Sequence, residues 1–395
     1  MEMPEIFLRL PTPDDVARAR AVCPSFRRVA SDRSFILSYR KLHGQPLLGL
    51  VDEDGFHPVL PPHPSAPAAR FLALSATADF SFSFLPSPGS WAIKDAHDGR
   101  FLLDRAPKPD GEKETPKLNE LAVCDPLNRR FLLLPPIPDH ILAHRVVRAI
   151  FLSGPFLAPA PLGEEEAAEE TTSFSVIWML CCETKPVAFV FSSCSGQWRA
   201  AGSRSWSDVF SVNDVRKFGP FLHLTRRRHY AYGCLYWEVM TDRRLLVLDT
   251  LTMEFSVDLP PDGSEMYEGD LAIVEAGEGR AGMFELHYDD TCDLYYAVKQ
   301  NNQWQKKEKI SSVLEPEYMY SIAGTTDRFL LLLRYLEDRP LEVSSTLEVP
   351  DYECFSLDVR TLRLQRMCSL KQWRHRTLQM YNKFPTTSVS PPGTI

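Results

Sequence analysis

The sequence lacks an excess of positive charge: 44 Lys and Arg stand against 52 Asp and Glu, for a net charge of -8. Neutralising a run of phosphates takes a concentrated basic face, so a general nucleic-acid binder is excluded and no nucleic acid is expected as a partner. The basic run Arg226-Arg227-Arg228-His229 is short enough to read as a solvated loop and receives no function. No stretch reaches the roughly 18 uncharged apolar residues of a membrane helix. Met1-Glu2-Met3-Pro4-Glu5 has neither the basic start nor the apolar run of a secretion signal. Neither a membrane nor export is expected, and a cytoplasmic or nuclear setting is. The nine cysteines include no Cys-x-x-Cys pair and no matching His spacing, which argues against structural zinc and reads as reduced thiols. Glycine is scarce beside proline, 19 against 32, a balance that suits many short segments joined by stiff turns.

Catalytic patterns are equally thin. Gly277-Glu278-Gly279-Arg280-Ala281-Gly282 matches a dinucleotide-binding pattern, but that site needs a helix starting there to aim amide donors at a pyrophosphate. In the following residues Phe284, Leu286 and Tyr288 alternate as in a strand, so the glycines read as a hairpin turn. Ser193-Cys194-Ser195-Gly196 lacks the first glycine of a nucleophile elbow, and there is no Walker loop. His287 beside Asp289 and Asp290 is the nearest approach to a metal site. No catalytic residue, metal or cofactor is assigned, and the chain reads as a non-enzyme.

What is present changes character after residue 44. Ile6, Phe7 and Leu10 form a one-turn apolar stripe that stops at Pro11. Thr12-Pro13-Asp14-Asp15 then supplies a cap, a proline at the first helical position and acidic side chains at the positive end of the helix dipole. Val16, Ala19, Val22 and Cys23 share one side of that helix, and Pro24 ends it. Phe26, Val29 and Ala30 line a third helix; Asp32 caps a fourth that carries Phe35, Ile36, Tyr39 and Leu42 and closes at Gly44. A bundle this small buries too little apolar area to be robust alone. Residues 45–70 read as a Pro-rich linker, and residues 376–395 as a flexible tail. Between them, over 71–375, short apolar runs such as Phe101 to Leu103, Val187 to Phe191, Leu245 to Leu248 and Phe329 to Leu333 alternate with turn residues and read as strands. The acidic run Glu164 to Glu170 reads as an inserted surface loop.

A weak internal repeat organises those strands. Asp125 to Phe131, Asp249 to Phe255 and Asp358 to Leu364 each place an Asp, then Asn or Thr three residues on, then a large apolar residue six on. Two further hairpins, Ser192 to Trp198 and Gln300 to Trp304, end in an aromatic after a polar turn. In each Asp turn the side-chain oxygen can accept a backbone N–H, and the apolar residue re-enters the sheet. The hairpins start 51 to 67 residues apart, about one four-stranded blade each, so about five or six blades fit. Unrelated antiparallel sheets packed as sandwiches are the alternative.

Glu5 to Val29 resembles the F-box family, in particular the large plant set with a C-terminal F-box-associated β-propeller. The likeness continues through Asp32 to Ile36, Tyr39 to His43 and Pro46 to Gly49, and phrases typical of that set recur at His97-Asp98-Gly99-Arg100, Cys124-Asp125-Pro126 and Tyr236-Trp237. The resemblance implies a mainly β protein with a small N-terminal helical F-box over 1–44 and a C-terminal β-propeller-like domain over 71–375. It implies an interaction rather than a reaction: a substrate-recruiting adaptor of a Skp-cullin-F-box ubiquitin ligase. The F-box would bind a Skp-type adaptor, and through it a cullin, while the second domain would hold an unknown target protein. Ile6, Phe7, Leu10 and Pro11 would lie in or beside the adaptor contact, and Val22, Cys23 and Phe26 would occupy the family's Val-Cys-x-x-Trp-like segment. Family members carry a Leu-Pro and several further residues ahead of the segment that begins here at Glu5, so the F-box is expected to be N-terminally shortened. A stand-alone propeller binding module whose truncated F-box no longer docks is the second reading.

Overall fold

The repeated Asp turn is the unit from which the fold is built. Asp125, Asp249 and Asp358 each end the third strand of a four-stranded antiparallel sheet. Each Oδ1 accepts the backbone N–H groups two and three residues on, at 3.1 and 3.4 Å for Asp125, 2.8 and 3.0 Å for Asp249, and 3.0 and 3.1 Å for Asp358. Four residues after the Asp the backbone turns left-handed, at Arg129 (φ 50°), Met253 (57°) and Leu362 (56°). Gly196 (66°) does so at the matching place after Ser192. Few non-glycine residues adopt that conformation; here the fixed amides hold it.

The computed structural model describes residues 3–10, 13–30, 32–87, 91–105, 120–143, 149–152, 154–159, 173–182, 184–200, 204–210, 224–239, 244–261, 271–288, 292–305, 308–310, 313–335, 352–371 and 377–383. They form six sheets. Blade 1 comprises Trp91–His97, Arg100–Arg105, Leu121–Asp125 and Arg130–Leu133. Blade 2 splits its first strand into Ala149–Leu152 and Phe156–Pro159, both paired with Phe174–Cys182, and continues with Pro186–Ser192 and Gln197–Ala200. Blade 3 is Leu224–Ala231, Cys234–Val239, Arg244–Asp249 and Glu254–Asp258. Blade 4 runs Leu271–Glu275, Ala281–Tyr288 and Cys292–Gln300, with the short pieces Gln303–Trp304 and Glu308–Lys309 both on its third strand. Blade 5 is Met319–Thr325, Phe329–Tyr335, Tyr352–Asp358 and Arg363–Leu370. The five hairpins recognised in the sequence are the last turns of these five blades.

The sixth blade is made from both ends of the described chain. Leu47–Asp52 pairs with Gly55–Pro58 on one edge and with Gln379–Asn382 on the other. Residues 45–70, expected to be a linker, therefore hold two strands and the start of a helix over Ala66–Ala73; within the expected tail, Gln379–Asn382 is a strand. The physical reason is burial on both faces: Leu47 to Val51 are all buried, so the strand shows no alternation and no period. First strands of neighbouring blades touch around the ring, between blades 1 and 2 and onward from blade 3 through 6 back to 1. Blades 2 and 3 are joined by Arg228, whose guanidinium lies 4.9 Å from the Phe156 ring centroid and donates to the Pro155 carbonyl at 3.5 Å. The result is a mainly β, six-bladed propeller with few helices.

Apolar residues fill the seams between blades: Val123 with Val176 and Phe189, Met179 with Trp237 and Leu246, Ala272 and Phe284 with Leu330 and Leu332. The basic run is not a loop, since Leu224–Ala231 is the innermost strand of blade 3. Arg228 pairs there with Asp95 at 2.9 Å, and His229 is buried 3.4 Å from Glu238. Four helices precede blade 6: α1 (Met3–Leu8), α2 (Pro13–Val22), α3 (Pro24–Ala30) and α4 (Arg33–His43). Phe7, Val16, Ala30, Phe35 and Tyr39 are their core. Asp32 caps α4 by accepting the Phe35 N–H at 3.2 Å and the Ser34 hydroxyl.

Candidate interaction surfaces

The helices present two kinds of apolar residue. Phe7 is 5% exposed and packs edge-on against Phe26 and Phe35, ring centroids 5.0 and 6.3 Å away. Leu10 is half-buried on the same core, and its carbonyl accepts the Tyr39 hydroxyl at 2.8 Å. Burial, reinforced by the charge of Asp15, pushes the Tyr39 phenol up to about 12. Phe26 and Cys23 are half-buried as well. Ile6 at 48% and Val22 at 70% face outward, as do Met3 and Leu42. Of the seven residues expected at an adaptor contact, Ile6 and Val22 thus offer free apolar surface, Phe7 serves the bundle core, and Pro11 lies outside the described residues. Val16, Ala19 and Val29 pack inward as their spacing suggests. Adjacent apolar residues such as Ile6 and Phe7 fit a one-turn stripe equally well, so the sequence could not tell which of them turns inward.

A second surface forms at one mouth of the propeller. Antiparallel order brings every first-to-second and third-to-fourth turn to the same face. The turns at Asp98-Gly99, Tyr232-Gly233, Gly277 to Gly279 and Thr326 to Arg328 meet there, along with the start of blade 6 after α4. Tyr232 donates its backbone N–H to Glu275 at 3.0 Å, and its phenol oxygen accepts the Gly277 N–H at 3.0 Å. The His97 and Tyr230 rings lie 5.9 Å apart. Burial pushes the carboxyl groups of Glu275 and Asp327 up, with His97 and Arg360 opposing it at both.

The helical module is tied to this same face. Arg328 donates to the His43 carbonyl, while its guanidinium holds Asp358 at 2.7 Å. Gln45 donates to Asp98. Gly99, at φ 71°, suits glycine for a further reason: a Cβ there would crowd the Lys383 side chain, which crosses the turn to reach Asp125 at 2.7 Å. These links were not legible beforehand, because Arg328 and His43 stand 285 residues apart.

The arrangement can bind by apolar contact at the helices and by hydrogen bonds and charge at the mouth. Gly277 to Gly279 form the turn between two paired strands, Leu271–Glu275 and Ala281–Tyr288, as expected. His287 pairs with Glu285 at 3.1 Å, and Asp289 and Asp290 lie outside the described residues. Among the described residues no group of three or more His, Cys, Asp or Glu could hold a metal ion, and no helix is long and apolar enough to cross a membrane.

No family model matches the sequence, and no curated protein matches it. Among solved structures, the chain is similar to the β-propeller domain of the trilobed protease from Pyrococcus furiosus, with 10% identity, 70% of each chain covered and a TM-score of 0.33. It is similar to TolB from Acinetobacter baumannii at 9% identity, covering 71% of this chain and 68% of that one with a TM-score of 0.34. A chain of a nidogen/laminin complex gives 9% identity, coverage of 75% and 88%, and a TM-score of 0.35. The six-bladed architecture stands on the strand pairing itself.

Proposed function

We propose that the chain is a non-catalytic adaptor whose N-terminal helices dock a Skp-type adaptor of a cullin-based ubiquitin ligase and whose propeller holds a target protein. A propeller supports a protein-binding module, because its turns vary while its blades stay rigid. The finer reading rests on one observation: Ile6 and Val22 stay exposed although the core behind them is already filled by Phe7, Val16 and Phe35. Apolar side chains left outside a complete small core suit a partner's groove. The resemblance of Glu5 to Val29 to F-boxes names that partner.

The test is co-precipitation of a purified Skp-type adaptor with the full chain and with an Ile6→Asp, Val22→Asp double variant. Both positions are exposed, so the bundle should fold in either protein, which circular dichroism checks. Capture by the unchanged chain and at least about tenfold weaker capture by the variant, a loss of about 1.4 kcal/mol or more, supports the ligase reading. No capture by the unchanged chain overturns it and leaves a stand-alone propeller binding module.

A further inference from the structure

Two cysteines face each other across blade 5. In the pairing of Tyr352–Asp358 with Arg363–Leu370, Cys354 is directly opposite Cys368, and a bulge follows immediately. Directly opposed residues of an antiparallel pair have Cα atoms about 4.5–5.5 Å apart, inside the roughly 4.4–6.8 Å that a disulfide spans. Both side chains enter the same buried seam with blade 6, at 0% and 5% exposure.

The two thiols differ in access and surroundings: Cys354 is fully enclosed, whereas Cys368 keeps a little exposed surface. His57 and Asp52, on the paired strands of blade 6, hydrogen-bond at 2.8 Å. That bond, against the opposing effect of burial, holds the imidazole above its ordinary value. Cys368 is pulled down by the hydrogen bond from Cys354, and His57 and Arg366 add to this against burial. Cys354 is pushed up by the same hydrogen bond and by burial. A thiolate is the attacking form of cysteine.

We propose that Cys354 and Cys368 are a redox-active dithiol, with Cys368 attacking and Cys354 resolving, which hydrogen peroxide converts into a cross-strand disulfide. In the first step the Cys368 sulfur attacks one peroxide oxygen. An S–O bond forms, the O–O bond breaks, and the departing hydroxide takes the proton that Cys368 gives up, leaving as water. In the second step the Cys354 sulfur attacks the Cys368 sulfenic acid. The S–S bond forms, the S–O bond breaks, and the leaving hydroxide takes the Cys354 proton. Two thiols are oxidised by two electrons in all, and one peroxide is reduced to two waters.

The bond would form where blade 6 seats on blade 5. The Met367 carbonyl, next to Cys368, accepts the Leu60 N–H at 2.8 Å, and Ser356, two residues from Cys354, lies 3.4 Å from His63. A disulfide at this place ties the third and fourth strands of blade 5 to each other beside that seat.

The experiment treats the full chain, purified reduced, with hydrogen peroxide under native conditions, then denatures, alkylates and maps the peptides by mass. The expected result is a Cys354–Cys368 linked peptide and a thermal midpoint raised by about a few degrees, reversed by dithiothreitol. Cys354→Ser should accumulate dimedone-reactive sulfenic acid at Cys368, and Cys368→Ser should leave the Cys354 thiol intact. Exposed Cys194 is the internal control for oxidant reaching the protein. Recovery of both buried cysteines as free thiols while Cys194 is oxidised overturns the proposal, as does a link that forms only after urea is added. A sulfenic acid trapped at Cys354 in Cys368→Ser overturns it as well.

Discussion

Asp249 and Asp358 hold the same turn with unequal partners. Asp249 accepts two backbone N–H groups; Asp358 accepts its two and also neutralises Arg328, which in turn grips the His43 carbonyl. Asp249→Ala is therefore expected to cost about 1–2 kcal/mol, and Asp358→Ala about 2–4 kcal/mol, because it leaves a half-buried guanidinium without its carboxylate. Urea-denaturation midpoints of the two variants decide the order. Burial alone would raise the Asp358 carboxyl, but the bonds from Arg328 and the turn amides outweigh it and hold the group below its ordinary 3.8. A carboxyl lowered on folding contributes stability above its unfolded value and loses it as pH falls through the folded one. Asp358→Asn should accordingly flatten the acid limb below about pH 4. The Asp turns were legible at this scale because an Asx turn is local chemistry; the cations that reach Asp125 and Asp358 come from Lys383 and Arg328, and no local rule points to them.

At the scale of elements, the segment that leaves Gly55–Pro58 lies over blade 5. His63, 3% exposed, accepts the Ser65 N–H on Nδ1 at 3.2 Å and faces Ser356 through Nε2 at 3.4 Å. Burial pushes its imidazole from 6.5 down to about 4. A histidine lowered on folding is buried neutral, so its contribution is complete above pH 6.5 and is lost as pH falls toward 4. Over that window the chain should lose about 2–3 kcal/mol of stability through this group, and His63→Gln should remove that share of the pH dependence; urea midpoints measured at pH 7 and pH 5 check it. The second to fourth helices of the N-terminus were readable to within a residue or two, while the first, Met3–Leu8, starts three residues ahead of the stripe that marked it. Prolines 13 and 24, Asp32 and Gly44 punctuate them, and such signals act within a single turn. The strands at Leu47–Asp52 and Gly55–Pro58 were not readable as strands, because burial on both faces erases the period-two pattern of the first and prolines crowd the residues that follow the second.

At the scale of the whole molecule, closure depends on a four-residue strand, Gln379–Asn382. Tyr381 is 1% exposed, stacked on Phe101 of blade 1 at 5.8 Å and edge-on to Phe80 at 4.9 Å, so one side chain joins blade 6 to its neighbour. Tyr381→Ala is expected to cost about 3–5 kcal/mol and to raise hydrogen exchange at Leu47 to Val51, the strand paired with it; a conservative Tyr381→Phe should leave exchange close to the unchanged chain. Local chemistry was enough for the mainly β texture, the five turns that end five blades and the four short helices, since each rests on residues within one turn of each other. Packing of distant segments set the blade count at six, shared the last blade between Leu47–Pro58 and Gln379–Asn382, and turned Phe7 inward while leaving Ile6 and Val22 out. The reason is physical: turn and cap chemistry is local, whereas burial and strand partnership depend on segments as distant as Leu47 and Asn382, which meet only when the ring closes.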